Sequence, residues 1–485
     1  MKRIKLIVTV FLLTMVMAVP LAAYPANEEI EALLAALVHA IDSASESVNE
    51  RSEILSITST DGYVFQSRLT IPAGDGPVAA IVIDTGTSGP NTYLMTRYVP
   101  GIGFWNFMDF WANEFANNGV AFMTANTRGV THGTQPPFFV EVDEAGYLTY
   151  LPSNVVEDVY HMLRTVRENP RLADAKIFLI GMSEGAQIST LFEYTHPGLA
   201  DVLLLTGVPI TNMYDVVHWQ ASGGAVMMML EDVFEMDEYG RINRDAFYAG
   251  PWETAMGAPF DVLDLNEDGF FTVEDLLILW HLQGMPPHMY DAQILLDAIE
   301  RGDDEWMREN YPILLTSGWF QEHFALRPNM DLIPELYLPI YIFHGTLDAN
   351  VHVRYVRELY ARLQELGRAN VTVNIFYGHN HDLNWDFPAF FGEMSEGIQA
   401  IFDAVFARIP APATEPTIDT TQPYVPLRLT AYAHGATVEW NNETRAVIVT
   451  DSLGAVRIIN VERVGGFIEN GTVWIPSGFA VEFFV

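Results

Sequence analysis

A serine at the centre of a glycine-flanked turn is the clearest candidate for chemistry in this sequence. The motif GMSEG, centred on Ser183, follows the apolar run 177–180 and precedes a stretch with helical spacing. The two glycines allow a sharp strand-to-helix turn with the serine hydroxyl at its apex, and the start of the helix offers N–H groups to developing negative charge. In this context the motif predicts a nucleophilic serine; a chance glycine-rich turn is the alternative.

A carboxylate able to orient a catalytic base follows a later strand. The run Ile340–Phe343 has the composition of a buried strand, and the residues HGTLD after it end at Asp348. Because the carboxyl ends of parallel strands meet at one edge of a sheet, Asp348 is predicted to lie at the same edge as Ser183. Asp382 and Asp386 are also able to orient a histidine, but neither is placed after this strand.

Two histidines follow the next strand and are candidates for the base. The strand Val371–Phe376 leads into the residues GHNHD, which contain His379 and His381. The chain order serine, aspartate, histidine is that of serine hydrolases built on an α/β sheet. The residues and their spacing leave the choice between the two histidines open.

Attack of a serine on an acyl group also requires backbone N–H groups that hold the oxyanion. The residue after the nucleophile, Glu184, is expected to supply one of them. The second is expected from the loop 84–90, which follows the predicted strand 79–83 and has glycines that let its backbone approach a substrate. Either Thr87 or Ser88 is the predicted donor.

Short apolar runs, separated by longer stretches with helical spacing, are the elements that must position these groups. The predicted strands are 54–58, 63–71, 79–83, 120–124, 177–180, 202–205, 340–343 and 371–376. Runs that are apolar throughout are typical of a sheet covered by helices on both faces. We therefore expect a doubly wound, mainly parallel α/β domain over residues 27–408, with a helical cap inserted at about 210–335.

Both ends of the chain differ in composition from this domain. Residues 1–23 have a basic start, an apolar core and small residues at the end, which predicts a secretory signal peptide, with an uncleaved membrane anchor as the alternative. Residues 409–423 are rich in proline and threonine and are expected to form an extended linker. Residues 424–485 are rich in β-branched and aromatic residues, which predicts a small β-rich domain.

The composition excludes several classes of protein. Hydrophobic residues make up 49% of the 485-residue chain and charged residues 18%, a balance typical of folded globular proteins. The absence of cysteine excludes disulfides, thiolate metal sites and a cysteine nucleophile. A formal net charge of −37 disfavours nucleic acid as a partner. Together with the signal peptide, these features predict an extracellular or cell-surface protein.

Four motifs give residues 53–406 a family resemblance. They are TSGP at 87–90, NTRG at 126–129, GMSEGA at 181–186 and the pair Asn380-His381. The stretch resembles secreted bacterial α/β-hydrolases of the esterase and serine-aminopeptidase-like group, which show a GSGP loop, a DxRG loop, a GxSxGG elbow and a late NH pair. The resemblance implies the α/β-hydrolase fold, favours His381 over His379 as the base, and implies hydrolysis of esters or related acyl bonds without a cofactor.

The C-terminal residues have a different resemblance. The segments YVPLR at 424–428, GATVEW at 435–440 and AVIVT at 446–450 are similar to the copper amine oxidase N-terminal-like domain of exported Gram-positive proteins. Copper chemistry is not implied, because these residues contain no histidine cluster. We expect this domain to associate with the cell surface or with another protein.

Residues 264–275 have the oxygen spacing of a calcium loop. The predicted ligands are Asp264, Asn266, Asp268, the Phe270 carbonyl, Thr272 and Asp275. Positions one, three and five of a twelve-residue EF-hand-type loop converge on one ion, and Gly269 occupies the position of the tight turn. Position twelve is aspartate instead of the usual glutamate, as in dockerin-type loops. We expect a structural Ca²⁺ in the cap, with a metal-free acidic turn as the alternative.

The combined expectation is a secreted serine hydrolase that cleaves a small-molecule ester through an acyl-enzyme intermediate. An aminopeptidase-like peptide hydrolase and an acyltransferase are alternatives on the same fold. A cell-surface binding protein with a vestigial site is the alternative from another class. Labelling with a fluorophosphonate, followed by a comparison of ester and amide substrates, separates these possibilities.

Overall fold

The computed structural model of this chain consists of two units, Met1–Ile409 and Pro410–Val485. The residues that the structure describes are 51–99, 103–135, 138–225, 228, 241–249, 259–282, 291–310, 315–388 and 393–409 in the first unit, and six short strands between 424 and 476 in the second. The predicted signal peptide over 1–23 and the predicted linker from 410 onward lie outside the described residues.

Fourteen strands are described in the first unit. They are β1 Ser52–Thr58, β2 Val64–Thr70, β3 Ala80–Asp84, β4 Thr96–Val99, β5 Gly103–Asn106, β6 Ala121–Ala125, β7 Val130–Gln135, β8 Val140–Val142, β9 Lys176–Met182, β10 Val202–Thr206, β11 Ile242–Asn243, β12 Phe270–Phe271, β13 Ile340–Gly345 and β14 Val371–Phe376. All eight predicted strands are present. The hairpins β4–β5 and β7–β8 were not predicted.

Fourteen α-helices are described in the same unit. They are α1 Phe107–Asn117, α2 Glu144–Tyr147, α3 Pro152–Glu168, α4 Glu184–Thr195, α5 Met213–Ala221, α6 Arg244–Ala249, α7 Phe260–Leu263, α8 Val273–Leu282, α9 Ala292–Arg301, α10 Asp304–Asn310, α11 Ser317–Ala325, α12 Asn329–Leu332, α13 Val353–Glu365 and α14 Glu396–Phe406, and a 3₁₀ helix spans Ile333–Glu335.

Eight of the strands form one sheet in the order β1-β2-β6-β3-β9-β10-β13-β14. Strand β2 pairs antiparallel with both neighbours, and all pairs from β6 to β14 are parallel. The predicted doubly wound, mainly parallel sheet and the α/β-hydrolase fold class are therefore confirmed. In this order the carboxyl ends of β3, β9, β10, β13 and β14 lie along one edge.

Apolar side chains cover both faces of this sheet. Along β9, Ile177 and Leu179 pack on the face covered by α3, α4 and α13, whereas Phe178 and Ile180 pack on the face covered by α1 and α14. A strand buried on both faces must be apolar at every position, which explains the continuous runs in the sequence. Each buried side chain of this size contributes on the order of 2 kcal/mol.

The chain between β10 and β13 forms the inserted cap. Its described elements are the helices α5 to α12 and the short antiparallel pair β11–β12. A third buried cluster joins α5, α9 and α11 of the cap to Tyr147 and Tyr150, which precede α3. The Thr316 side chain accepts a hydrogen bond from the Trp319 N–H and so begins α11, the cap helix that matters most for the site.

The second unit contains only strands among its described residues. They are β15 Tyr424–Pro426, β16 Thr437–Asn441, β17 Ala446–Thr450, β18 Val456–Asn460, β19 Phe467–Glu469 and β20 Thr472–Pro476. They form two antiparallel sheets, β15-β20-β19 and β16-β17-β18. The predicted β-rich C-terminal domain is confirmed. Across both units, none of the described helices combines the length and apolarity that a membrane span requires.

Candidate active site

The turn between β9 and α4 holds Ser183 in an unusual backbone conformation. Its φ is +54° and its ψ is −116°, a strained combination for a residue with a side chain. The Ser183 N–H donates to the Thr206 carbonyl at the end of β10, with a distance of 2.9 Å between nitrogen and oxygen. A side chain at Gly181 would overlap the Gly185 backbone, and one at Gly185 would overlap the Gly86 carbonyl. The two flanking glycines are therefore required by close packing.

The structure pairs His381 with Asp348. The Nδ1 atom of His381 lies 2.9 Å from each carboxylate oxygen of Asp348. The Asp348 carboxylate also accepts the N–H groups of Asn350 and Val351 at 2.8 and 2.7 Å, so the loop after β13 fixes its orientation. Both side chains are buried.

The charges of this pair stabilise each other. Burial by itself would lower the pKa of His381, but the Asp348 carboxylate beside it raises that pKa to about 9. Burial would raise the pKa of Asp348, yet the neighbouring His381 and His344 hold it below its usual value. The pair is therefore built to stabilise an imidazolium.

The alternative histidine is directed elsewhere. The Nδ1 atom of His379 lies 3.1 Å from the Tyr377 carbonyl, and its Nε2 accepts the Gly397 N–H at 3.3 Å. This histidine joins its loop to the start of α14. Among the described residues, neither Asp382 nor Asp386 forms a side-chain hydrogen bond to His381.

Ser183 and His381 both approach the backbone at the end of β10. The residue after Thr206 is Gly207, whose φ is +53°, and a Cβ atom there would lie only 2.6 Å from Cε1 of the His381 ring. Thr206 thus holds the serine backbone, and the adjacent glycine leaves room for the imidazole. The Ser183 hydroxyl forms no hydrogen bond with any residue that the structure describes. The described hydrogen bonds therefore join His381 to Asp348 but do not join Ser183 to His381, and the two residues are related through the backbone at 206–207.

The backbone N–H groups predicted to hold an oxyanion are free within the described part of the chain. The N–H of Glu184 lies at the start of α4, where intrahelical partners are missing. In the loop after β3, the Asn91 amide donates to the carbonyls of Thr87, Ser88 and Gly89 at 3.2 to 3.4 Å. These bonds engage the carbonyls of the loop, and they leave the N–H groups of Thr87 and Ser88 available.

The side chain of Glu184 has a role that the sequence did not predict. It is 2% exposed, and its carboxylate accepts hydrogen bonds from the Tyr150 hydroxyl, Nε1 of Trp319 and Nε2 of His323. These partners are 34, 135 and 139 residues away along the chain. At such separations, only the unusual glutamate inside the elbow motif offered a signal.

A mostly apolar cavity opens beside the elbow. Its empty space of about 490 Å³ includes the open mouth, and its walls come mainly from α1, α14 and the loop after β14. Aromatic and aliphatic residues predominate, among them Phe107, Trp111 and Trp385. Two carboxyl groups, Asp84 and Asp382, also line it. Burial raises the pKa of Asp84 to about 6. The composition of the cavity suits an apolar group of a small-molecule ligand.

The loop 264–275 forms the turn that its sequence predicted. Most of its carboxylate oxygens, however, already accept hydrogen bonds from groups of the loop itself. Asp264 accepts the N–H groups of Asp268 and Gly269, and Gly269 has a φ of +86°. The buried Asp275 accepts the N–H groups of Leu265, Asn266 and Thr272 and the Thr272 hydroxyl. No group of three His, Cys, Asp or Glu side chains in the described residues converges as for a metal ion.

Comparison with protein families supports the C-terminal domain. Residues 408–484 match the family model of the copper amine oxidase N-terminal domain, which confirms the predicted resemblance of the tail. Comparison with curated proteins gives no match.

Three solved structures are among those similar to this chain. An acylaminoacyl peptidase from Pyrococcus horikoshii has a TM-score of 0.41 and 12% identity over 75% of this chain, which spans 42% of the length of that peptidase. A thermostable carboxyl esterase from Bacillus coagulans has a TM-score of 0.41 and 15% identity over 73% of this chain and 99% of its own. An α/β hydrolase from Penicillium has a TM-score of 0.39 and 13% identity over 73% and 96%.

Proposed function

We propose that this protein is a serine hydrolase that cleaves carboxylic esters through an acyl-enzyme intermediate. The observation that carries the proposal is the His381–Asp348 pair beside a strained turn whose serine hydroxyl has no described hydrogen-bond partner. A buried imidazole–carboxylate pair stabilises a positive charge only when a proton is transferred to it, and Ser183 is the hydroxyl at hand.

The reaction begins with attack of the Ser183 hydroxyl on the carbonyl carbon of the ester. Nε2 of His381 takes the hydroxyl proton, while Nδ1 stays hydrogen-bonded to Asp348. The proton then passes to the leaving alcohol as the carbon–oxygen bond breaks, and the acyl group remains on the serine. A water molecule, deprotonated by the same imidazole, releases the acid and restores the enzyme.

Backbone N–H groups stabilise the negative charge that develops on the carbonyl oxygen. The Glu184 N–H supplies one donor, and Thr87 or Ser88 supplies the other. The apolar cavity accommodates the acyl or alcohol group of the substrate. Each correctly placed donor of this kind is worth roughly 3 kcal/mol of barrier in comparable enzymes.

The test is hydrolysis of p-nitrophenyl esters by the wild type and by two matched variants. Ser183→Ala is expected to lower kcat by about 10³-fold or more and to abolish fluorophosphonate labelling. Ser153→Ala removes an exposed hydroxyl at the start of α3 and is expected to retain both. Full activity in Ser183→Ala would refute the proposal. If the folded wild type neither labels nor hydrolyses any ester, a binding protein with a vestigial site is the better description.

A second candidate function is hydrolysis of substrates that carry a free amine, as in an aminopeptidase-like enzyme. It is favoured by one observation, which is that the carboxyl groups of Asp84 and Asp382 line the otherwise apolar cavity. An ammonium group on the substrate would be attracted to such carboxylates. Comparing p-nitrophenyl acetate with aminoacyl p-nitroanilides distinguishes the two functions. Acyl transfer to an added alcohol tests the acyltransferase alternative.

We also propose that the protein is secreted through residues 1–23 and that its C-terminal domain associates with the cell surface. The composition of the N-terminal residues and the family match of residues 408–484 support this proposal. Fractionation of expressing cells tests this proposal. The full chain is expected to be exported and to remain bound to the cell surface, whereas the chain truncated after 409 is expected to be free in the medium.

A further inference from the structure

A buried carboxylate lies directly behind the proposed nucleophile. Oε1 of Glu184 accepts hydrogen bonds from Nε1 of Trp319 at 2.7 Å and from Nε2 of His323 at 2.9 Å, and Oε2 accepts the Tyr150 hydroxyl. All four side chains are buried. A carboxylate with three donors and almost no solvent contact is held in one position, and its own backbone N–H is held with it.

Tyr150 connects this carboxylate to the other side of the proposed oxyanion site. Its hydroxyl donates to Glu184 and also lies 3.4 Å from the Thr87 carbonyl oxygen. Burial, together with the charge of Glu184, raises the pKa of Tyr150 well above its usual value, so the hydroxyl remains a donor over the working pH range. One phenol thus contacts Glu184 and Thr87, which lie on the two sides of the proposed oxyanion site.

The other two donors belong to the cap. Trp319 and His323 lie on α11, and Nδ1 of His323 is 3.0 Å from Oε1 of Gln187, one turn further along α4. The cap helix therefore contacts the first turn of α4 at two points. A displacement of α11 would remove two of the three hydrogen bonds that hold the Glu184 carboxylate.

We infer that Tyr150, Glu184, Trp319 and His323 form a positioning network that fixes the spacing between the two halves of the oxyanion site. The inference rests on the proposed hydrolase function. The network acts through the backbone N–H groups of Glu184 and of the loop after β3, and none of its side chains is assigned to touch the substrate. Because oxyanion donors act most strongly in the transition state, loosening them lowers kcat more than it changes KM.

The neighbouring Tyr147 provides a matched control. Its ring centroid is 5.6 Å from that of Tyr150, and it is equally buried. Its hydroxyl has no hydrogen-bond partner among the described residues, whereas that of Tyr150 has two acceptors within reach. Tyr150→Phe and Tyr147→Phe therefore remove the same atom from the same cluster, and only the first change affects the network.

The experiment measures kcat and KM of both variants with a p-nitrophenyl ester, with their melting temperatures and their affinity for a trifluoromethyl ketone. Tyr150→Phe is expected to lower kcat about tenfold and to leave KM within about twofold. The trifluoromethyl ketone forms a tetrahedral adduct, so the affinity of this variant for it is expected to fall by a factor similar to that for kcat. Tyr147→Phe is expected to match the wild type in all three. Equal kinetic effects of the two variants, or a Tyr150→Phe effect confined to KM or to melting temperature, would overturn the inference.

Glu184→Gln provides the conservative rescue. The glutamine oxygen still accepts from Trp319 and His323, so this variant is expected to keep most of the wild-type kcat, while Glu184→Ala loses at least as much as Tyr150→Phe. A glutamine variant as impaired as the alanine variant in kcat, with an unchanged melting temperature, would contradict the positioning role. If the wild type hydrolyses no ester, the proposed function itself fails; if it does and the tyrosine variants behave alike, only this inference fails.

Discussion

The two sites predicted from sequence motifs, the sheet edge around Ser183 and the loop 264–275, are built in opposite ways. At the sheet edge the important groups come from strands far apart in the chain, and the hydroxyl and N–H groups that chemistry would use form no hydrogen bonds within the described residues. In the loop, twelve consecutive residues supply all the groups, and the loop backbone already occupies most of the carboxylate oxygens.

This difference indicates how strongly each motif supports a functional assignment. A fold normally pairs its buried polar groups, so donors left free in a rigid and partly buried position are held for a ligand or a transition state. Carboxylates that accept hydrogen bonds from their own turn are sufficiently explained by the stability of that turn. We therefore expect large effects from mutations at the sheet edge around Ser183, and small effects from mutation or calcium removal at the loop 264–275.

The largest effect is expected from Asp348→Asn. The amide is nearly the same size but cannot stabilise the imidazolium of His381, and kcat should fall by about 10³- to 10⁴-fold with little change in KM. Asp382→Asn removes a neighbouring carboxyl group that makes no described hydrogen bond to His381, and it should cost about tenfold or less. Steady-state kinetics of the two variants measure the difference, and a larger loss in Asp382→Asn than in Asp348→Asn would assign the orienting role to Asp382 instead.

An intermediate effect is expected in the pH dependence. His381 accepts a proton only when neutral, so kcat/KM should rise with pH through its pKa, which Asp348 raises to about 9 from an ordinary value of 6.5. The acid limb of the profile should therefore lie well above that ordinary value. In Asp348→Asn the residual activity should show a limb at lower pH, because burial alone disfavours the imidazolium. Rates of labelling with a fluorophosphonate across pH measure the acid limb of the wild type and that of Asp348→Asn. A wild-type limb near pH 6.5 would contradict the proposal that Asp348 raises the pKa of His381.

The smallest effect is expected from calcium. We propose that the loop 264–275 binds a structural Ca²⁺, on the support of its oxygen spacing and its turn at Gly269. Binding must compete with the hydrogen bonds already made to Asp264 and Asp275, so saturating Ca²⁺ should raise the melting temperature by only about 2 °C and leave kcat unchanged.

Two charge-removing variants of this loop test whether any response is specific. Asp268→Asn alters a predicted ligand, whereas Glu267→Gln alters the adjacent residue, which is not one. Only the first should abolish the response to Ca²⁺ in thermal unfolding with and without a chelator. A response that survives in Asp268→Asn, or no response in the wild type, would end the calcium proposal and leave an acidic turn.

The sequence by itself determined the sheet and the identity of the main candidates. Continuous apolar runs such as 202–205 encode strands buried on both faces, and the glycines around Ser183 encode the strand-to-helix turn. These signals are local, because hydrophobic periodicity and backbone conformation depend on neighbouring residues. They sufficed to place the serine, the aspartate and a pair of histidines at one edge.

Only the tertiary structure decided which side chains meet there. It pairs His381 with Asp348 and turns His379 towards α14, although the two histidines are separated by a single residue. It also brings Trp319 and His323 of the cap onto Glu184, across more than a hundred residues of chain. Such contacts depend on how the cap packs against the sheet, and long-range packing leaves no periodic pattern in the residues that make it.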